Sequence, residues 1–472
     1  MSKKRILSVG ILVLVLLAAC GPTPAPQTIV QTVEVEKRVD VPVKETVVVE
    51  KTVVVEKKVD VPVKETVVVE TKPLQLSFAG HEYFNLSFGP APAPLENMRT
   101  VAKEVYPNVD IQLIMQPLDA NKWHDNLTTY FVAKDQTVDL LYVAGYWVTE
   151  FGAADWLVPL NDIVDPALLA KFDAAYQQVF SYDGKLLGLG PSWGGIGGLY
   201  YRKDLLDQYG LKAPETYDDI IAACDTIMKA NPDLGCWDWP AMRNVVLVNR
   251  WSEYLYGFGG KYVNDDGTCA MNSPEAVKAL EFMTMLFQKG YSPQESLSWK
   301  EEDANVRFVN GQTIFFSGRQ DLLFWINDPA KSKVVDMWGF IPNPAQAGGR
   351  HSGFTEFWAF AISKFSDNPE QALKVLEKWS SFPTMKNFNL AWGPIQGNSD
   401  VYKDPDVLAS NKYLPLIEEI AKTALAPMPS ANYGEVADIL QAEVHSALSG
   451  LATPTDALNS ACEQIDVIET SP

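Results

Sequence analysis

One pentapeptide has the spacing of a catalytic motif. Residues 190–194 read GPSWG and satisfy the G-x-S-x-G pattern of a nucleophile elbow, which exposes a serine at a sharp turn between a strand and a helix. Residues 195–201 read GIGGLYY, a strand-like run that places no helix behind Ser192. We therefore predict no catalytic residue from this motif, and we do not expect an enzyme.

Histidines and cysteines are too scattered to suggest a metal site. The four histidines have no metal-ligand spacing to one another, and the cysteines form no CxxC pair. Residues 264–267 read NDDG, which lacks the other positions of a calcium loop and predicts a hairpin turn. No Walker loop and no dinucleotide fingerprint is present in the sequence, so neither a metal nor a cofactor is predicted.

Acidic and aromatic side chains leave two chemical interpretations open. With 59 acids, many carboxyl pairs are available, and only their separation in space decides whether one could hydrolyse a glycoside. The 13 tryptophans favour recognition instead. A sugar ring has an apolar C–H face and a fringe of hydroxyls, which suits aromatic faces combined with polar side chains.

Strand and helix patterns alternate after residue 73. Alternating or continuous apolar runs predict strands over residues 74–79, 109–115 and 139–143, and helical spacing is present over 95–105 and about 123–133. This alternation is typical of an α/β fold, in which ligands lie at the carboxyl ends of the strands.

Composition and charge exclude several classes. The chain has 472 residues, 47% of them hydrophobic, as in a soluble globular protein. Its 39 basic and 59 acidic residues give a net charge of -20, which disfavours a nucleic-acid partner. An acidic surface also favours neutral or cationic ligands over anions.

The first 72 residues predict a signal peptide and a tether. Residues 1–20 have a basic start, a short apolar run and a small-residue site, LAAC, that resembles the lipobox of bacterial lipoproteins. Acylation of Cys20 would anchor the chain to a membrane outside the cytoplasm. Residues 21–72 contain the sequence VDVPVKETVVVE twice, at 39–50 and 59–70, and predict an extended tether with weak β contacts.

Seven short motifs follow one another between residues 106 and 312: YPNV (106–109), VDLL (138–141), WLVPL (156–160), DGKLLG (183–188), LYYRKDLL (199–206), KAPETYDD (212–219) and FVNGQ (308–312). Their order resembles that of a known family, the maltose-type extracellular solute-binding proteins of ABC importers. One departure is Arg202, where the family usually has Asn.

The resemblance implies a two-lobe α/β periplasmic-binding-protein-like fold with the ligand in the cleft between lobes. By analogy, lobe one comprises residues 73–190 and 352–411, and lobe two comprises 191–351 and 412–472. Glycines crowd the crossovers, where a hinge must bend. A monomer that delivers a sugar or oligosaccharide to an ABC transporter permease is expected, without a cofactor. The alternatives are a receptor for a polyamine or glycerol phosphate, a surface glycoside hydrolase, and a tethered adhesin.

Matching to the family's binding loops selects twelve candidate ligand-binding residues. Trp147, Trp193 and Tyr433 are expected to stack on sugar rings, and Glu82, Asp321 and Glu356 to accept hydroxyl hydrogen bonds. The other candidates are His81, Tyr146, Trp239, Arg243, Arg319 and Trp358.

Four cysteines besides Cys20 suit an exported protein. Cys224, Cys236, Cys269 and Cys462 all fall in the expected lobe two and allow three disulfide pairings. We expect two disulfides, and we choose Cys236 with Cys269 and Cys224 with Cys462 as a guess among the three.

Overall fold

The structure is a computed structural model that describes residues 31–45, 55–69, 73–191, 194–393, 396–425, 428 and 430–470. The predicted signal peptide, the acylation site Cys20 and the candidate Trp193 lie outside these residues. Among the described residues, no helix is both long enough and apolar enough to cross a membrane.

The strands are β1 (Gln31–Glu45), β2 (Val55–Val69), β3 (Leu74–His81), β4 (Val109–Gln116), β5 (Leu140–Ala144), β6 (Ser181–Tyr182), β7 (Lys185–Leu186), β8 (Gly195–Arg202), β9 (Gly235–Asp238), β10 (Thr313–Arg319), β11 (Trp338–Ile341), β12 (Thr355–Glu356) and β13 (Trp358–Ile362).

The helices are α1 (Pro94–Val105), α2 (Ala120–Val132), α3 (Val148–Ala153), α4 (Pro166–Leu169), α5 (Ala174–Val179), α6 (Lys203–Gln208), α7 (Tyr217–Ala230), α8 (Val245–Gly257), α9 (Pro274–Gln288), α10 (Glu301–Val309), α11 (Pro369–Trp379), α12 (Phe382–Trp392), α13 (Pro405–Ser410), α14 (Leu414–Ala421), α15 (Tyr433–Leu448) and α16 (Pro454–Thr470). The five elements predicted between residues 74 and 143 are all present.

The Val-rich repeat forms an antiparallel strand pair. β1 pairs with β2 in a register that runs from Gln31 opposite Val69 to Glu45 opposite Val55. This pair belongs to one compact unit, and the chain from Leu74 onward forms another. The alternation of Val with polar residues favours this extended backbone.

Two mixed sheets organise the unit that begins at Leu74. The first has the order β13-β5-β3-β4, with β3 parallel to β4 and β5 and with β13 antiparallel to β5. Strands β5 and β13 of this sheet are buried along their whole length. Such continuous apolar runs are typical of strands covered on both faces. Helices α1 and α11 pack on this sheet, α12 packs on α1 and α11, and α13 packs on α12. We call this sheet and these helices lobe one.

The second sheet has the order β11-β8-β10-β9, and β12 adds to β8. Helices α7 and α10 pack on β9, α14 packs on β8 and β11, and α15 and α16 pack on α8 and α9. We call this sheet and these helices lobe two.

Three chain segments, residues 194–197, 353–356 and 423–425, lie side by side. The first two are crossover segments between the sheets, and the third connects α14 to α15 within lobe two. Thr355 and Glu356 pair with Ile196 and Gly195. Gly353 donates to the Thr423 carbonyl at 3.0 Å, and its own carbonyl accepts from Leu425 at 2.8 Å. A Cβ on Gly353 would lie 2.3 Å from the carbonyl oxygen of Gly197. Glycine is therefore needed here for close contact between backbones.

The disulfides differ from the guessed pairing, which is wrong. Cys224 is bonded to Cys236, and Cys269 is bonded to Cys462. Cys224 lies on α7, which leads into β9 and packs against it, so Cys236 is near. Cys462 lies on α16, whose packing beside α9 brings it to the segment before that helix.

Candidate ligand-binding cleft

A cavity of about 510 Å³ lies between the two sheets, at the carboxyl ends of β3 and β5. Both lobes and the crossover segments contribute to its walls. Lobe one supplies His81, Tyr83, Leu118, Asp119, Ala120, Asn121, Trp123, Tyr146 and Trp358; lobe two supplies Met242, Asn244, Val245, Val246, Lys300, Glu301, Glu302, Arg319, Gln320 and Asp321; the crossovers supply Gly194, Gly195 and Glu356.

Two capped helices begin at the cavity wall. The Asp119 carboxylate accepts from the Lys122 backbone at 3.1 Å and caps α2, and the Asn244 side chain accepts from Val246 at 2.9 Å and caps α8. Short polar residues at these positions satisfy the free backbone donors of a helix start. They also leave the first turns of α2 and α8 at the cavity.

Aromatic rings form one wall. The Trp123 and Trp358 ring centroids are 4.6 Å apart with the planes tilted by 31°, and the His81 ring meets Trp123 edge-on at 5.3 Å. Trp358 is 9% exposed and Trp123 is 2% exposed, so packing fixes both rings in place. The wall offers a rigid apolar face to a ligand.

His81 ends β3 and is neutral at ordinary pH. Burial lowers its pKa to about 3, because removal of water penalises the charged imidazole. Its Nδ1 accepts from the Tyr83 backbone at 3.1 Å and caps the 3₁₀ turn over Glu82–Asn85. Its ring also stacks near Trp392, at 5.8 Å between centroids.

Arg319 carries the main ion pairs of the opposite wall. Its Nη1 donates to the Glu356 carboxylate at 2.5 Å, and its Nε lies 3.3 Å from Asp321 Oδ1. Its backbone N–H donates to Glu301 Oε1 at 3.2 Å. The structure thus brings together three predicted residues, and the arginine charge is balanced by carboxylates.

The residues that line the cleft carry a net negative charge. Among the described residues, five carboxylates and two cations, Lys300 and Arg319, line the cleft. Since Arg319 is already paired, an anionic ligand would meet net repulsion. The polar side chains are better suited to hydroxyl donors or to cations.

A much smaller cavity of about 20 Å³ adjoins the cleft behind Tyr146. Tyr433 lines this smaller cavity, and its ring lies 4.8 Å from that of Tyr146. The Tyr146 hydroxyl is buried and has no hydrogen-bond partner among the described residues. The space is large enough for about one water molecule.

Six of the predicted residues line the cleft: His81, Tyr146, Arg319, Asp321, Glu356 and Trp358. Glu82 is exposed beside it, and Arg243 lies between the lining residues Met242 and Asn244 without lining the cavity itself. Tyr433, which is expected to stack on a sugar ring, lies beside Tyr146 and lines the smaller cavity.

Trp147 and Trp239 are in the core, and their predicted place in the cleft is wrong. Trp147 follows Tyr146 in a 3₁₀ turn, and only Tyr146 of the two lines the cavity; the Trp147 ring packs against Trp358 at 5.0 Å from within lobe one. Trp239 is fully buried, and its Nε1 donates to Ser292 Oγ at 2.9 Å inside lobe two.

Several lining residues were not predicted. The most informative are Trp123, which was assigned only to a helix, and Lys300, Glu301 and Glu302 at the start of α10. The signal for Trp123 was available, because it lies in the first turns of the helix that follows strand β4.

The described residues bear on the serine motif and on the metal site. The residues after Gly194 form strand β8, so no helix follows the G-x-S-x-G motif directly. Within the part of the chain that the structure describes, no group of three or more His, Cys, Asp or Glu side chains could hold a metal ion.

Fold and cleft together define a two-lobe binding protein whose ligand lies between the lobes. Residues 92–381 match the family described as bacterial extracellular solute-binding protein, and the chain belongs to this family. Members of the family are solute-binding proteins that act outside the cytoplasm.

Similar proteins include transport proteins with named sugar or polyol ligands. The maltose-bound MalE3 of T. maritima has a TM-score of 0.75 and 28% identity, over 84% of this chain and 100% of that protein. A probable ABC transporter-binding protein of Deinococcus radiodurans is 24% identical over 70% of this chain and 79% of its own length. The mannitol-binding protein of Pseudomonas aeruginosa is 23% identical over 61% of this chain and 65% of its own length.

Proposed function

We propose that this protein is the substrate-binding component of an ABC importer and that it binds a sugar or oligosaccharide. The observation that carries the proposal is the composition of the cleft, in which the Trp123 and Trp358 wall shares one cavity with the Arg319 and Glu356 pair. An apolar face opposed by polar side chains suits the two sides of a sugar ring. The ligands named for two similar proteins, maltose and mannitol, support this class.

Delivery requires that ligand binding changes the arrangement of the lobes. A ligand shifts such an equilibrium only if it contacts one arrangement better than the other. A solute held by Trp358 from lobe one and by Arg319 from lobe two fulfils this condition. The outer faces of the closed lobes would then contact the permease.

Anchoring through Cys20 is part of the proposal. The lipobox-like LAAC sequence supports acylation of this cysteine, and residues 21–72 would serve as the tether between the membrane and the binding unit. We also propose a monomer, with lobe boundaries near residues 190, 352 and 411.

The rival ligands differ in charge, which makes them separable. The acidic cleft opposes glycerol phosphate, whereas a polyamine would be attracted to its carboxylates. A glycoside hydrolase would use two of these carboxylates as an acid and a base and would release products.

The test is binding combined with product analysis. Thermal unfolding would be followed with maltose, mannitol, spermidine and glycerol phosphate, because a ligand that binds the native state raises the melting temperature. Isothermal titration calorimetry would then give the dissociation constants. We expect a sugar to bind and to be recovered unchanged. Stabilisation by spermidine alone, or turnover of an oligosaccharide, would contradict the proposal.

A further inference from the structure

Arg250 is a fully buried charge on α8 that the cleft does not expose. Its Nη1 donates to Glu253 Oε2 at 2.9 Å, its Nη2 lies 3.7 Å from Glu301 Oε2, and its guanidinium lies 4.5 Å from the centre of the Phe354 ring. Burial of ions is costly even when they are paired. A buried ionic cluster is therefore weak evidence for stability and suggests another role.

One end of this cluster reaches the cleft. Glu301 lines the cavity and accepts from the Arg319 backbone at 3.2 Å. The Arg319 side chain in turn donates to Glu356 of the crossover segment.

The other end reaches a crossover segment. Glu253 Oε1 accepts from the Phe354 backbone at 3.1 Å, and the Glu253 carbonyl accepts from Ser352 Oγ at 3.0 Å. Gly197 of the neighbouring crossover leaves the space for this carboxylate, since a Cβ there would lie 2.0 Å from Glu253 Oε1. Helix α8 thus holds the chain two residues before Glu356.

These contacts close a ring. From Arg319 it runs through Glu301, Arg250 and Glu253 to Phe354, and from there along the backbone to Glu356 and back to Arg319. A change of backbone position at Phe354 must displace Glu356, because only Thr355 lies between them.

We propose that Arg250 and Glu253 are positioning residues for ligand binding, which hold the crossover segment against α8 and so fix Glu356 and Arg319 in the cleft. The proposal rests on the proposed function of this cleft. It assigns to two residues outside the cavity wall an effect on affinity that contact with ligand does not explain.

The electrostatics make this effect depend on pH. Burial raises the pKa of Glu253 to about 7, although Arg250 opposes the shift. The other ionisable groups that face this carboxylate are Glu301 on α10 and the phenols of Tyr217, Tyr254 and Tyr262. These phenols stay neutral near pH 7, since burial raises the pKa of each. Glu253 is therefore expected to lose charge as pH falls from 8 to 6. Burial also raises the pKa of Glu301, which acts in the same direction.

The direction of the pH effect on ligand binding follows from the ring of contacts. If bound ligand favours the intact ring, it favours the ionised Glu253, so binding should weaken as pH falls through about 7. We expect the dissociation constant of the wild-type protein to rise about fivefold between pH 8 and pH 6.

Three variants test the proposal, with maltose and mannitol as probes in calorimetry from pH 5.5 to 8.5. Glu253→Gln should weaken binding about tenfold at pH 8 and flatten the pH profile. Ser352→Ala loosens the same segment without changing its charge, and should weaken binding about threefold and keep the profile. Asp238→Asn is the control, because Asp238 is a buried carboxylate of lobe two that is paired with Arg307 and does not line the cleft.

A measurement without ligand separates this inference from the proposed function. Glu253→Gln should accelerate amide hydrogen exchange in residues 353–356, whereas Asp238→Asn should not. If Glu253→Gln does not fold, Ser352→Ala and the wild-type pH profile carry the test. A wild-type profile that stays flat, or equal effects of the Glu253 and Asp238 variants, would overturn the inference. Failure of the wild-type protein to bind any sugar would contradict the proposed function instead. In that case, unchanged amide hydrogen exchange in Glu253→Gln would still overturn the inference.

Discussion

The indole rings of Trp123 and Trp358 lie with their centroids 4.6 Å apart, although the two residues are far apart in the sequence. Trp123 is the fourth residue of α2 and Trp358 is the first residue of β13. Their contact gives lobe one a preformed aromatic surface at the cleft. Preformed contact surfaces bind with less loss of side-chain freedom than flexible ones.

The first prediction concerns this surface. Trp358→Phe should keep the core filled but remove part of the apolar face, and should weaken sugar binding about fivefold. Calorimetry with maltose and mannitol measures the change. Trp156→Phe is the control, because Trp156 stacks on Phe131 and does not line the cleft. Equal loss in both variants would remove Trp358 from the site.

The second prediction concerns the charge of the cleft. Arg319→Gln leaves Glu356 and Asp321 without their shared cation, so sugar affinity should fall about tenfold because the carboxylates are no longer oriented. The more acidic cleft should at the same time bind spermidine more tightly than the wild-type protein does. Calorimetry at low and high salt measures both changes. An unchanged preference between sugar and spermidine would show that Arg319 does not control the charge that the ligand meets.

The third prediction uses the neutral His81. Its pKa is about 3 in the native protein, compared with about 6.5 in an unfolded chain. Between these values the unfolded state binds a proton that the native state does not. His81 should therefore lower the free energy of unfolding by about 1.4 kcal/mol for each pH unit as pH falls from 6 to 4.

Urea unfolding at several pH values tests this slope. His81→Gln should lower the slope by the contribution of one proton, whereas His445→Gln on α15 is the control outside the cleft. If both variants retain the wild-type slope, His81 is not the group responsible.

The fourth prediction compares the two disulfides. Cys269 and Cys462 are 193 residues apart in the sequence, and Cys224 and Cys236 are 12 apart. Closing a longer loop restricts the unfolded chain more, so replacing the long-range pair by serine should cost about 5 kcal/mol and the short-range pair about 3 kcal/mol. Urea unfolding of the two double variants measures the difference. The reverse order would mean that native contacts outweigh loop closure.

The sequence predicted strands β3, β4 and β5 because their apolar patterns reflect their burial. β5 is buried on both faces and reads LLYVA, and β3 leads directly to the cleft at His81. His81 and Tyr146, which matching to the family's binding loops selected after these strands, both line the cavity.

The sequence could not decide which of two neighbouring side chains faces the cleft. Tyr146 and Trp147 are equally suited to a ligand by type, and only the turn that contains them selects Tyr146. Trp239 was misplaced because a strand end also borders the core of its own lobe. The disulfide pairing depends on how α16 packs beside α9, which no local pattern encodes.

The lateral hydrogen bonds that join the crossover segments 194–197 and 353–356 to each other, and residue 353 to residues 423–425, limit how the lobes can rotate. A single connecting strand would permit twisting in any direction, whereas two connecting backbones joined side by side favour bending about a common axis. Opening would then have one dominant degree of freedom. A solute that holds the lobes at one angle would thereby set the distances between all side chains that face each other across the cleft. Recognition would then be coordinated across the whole cleft.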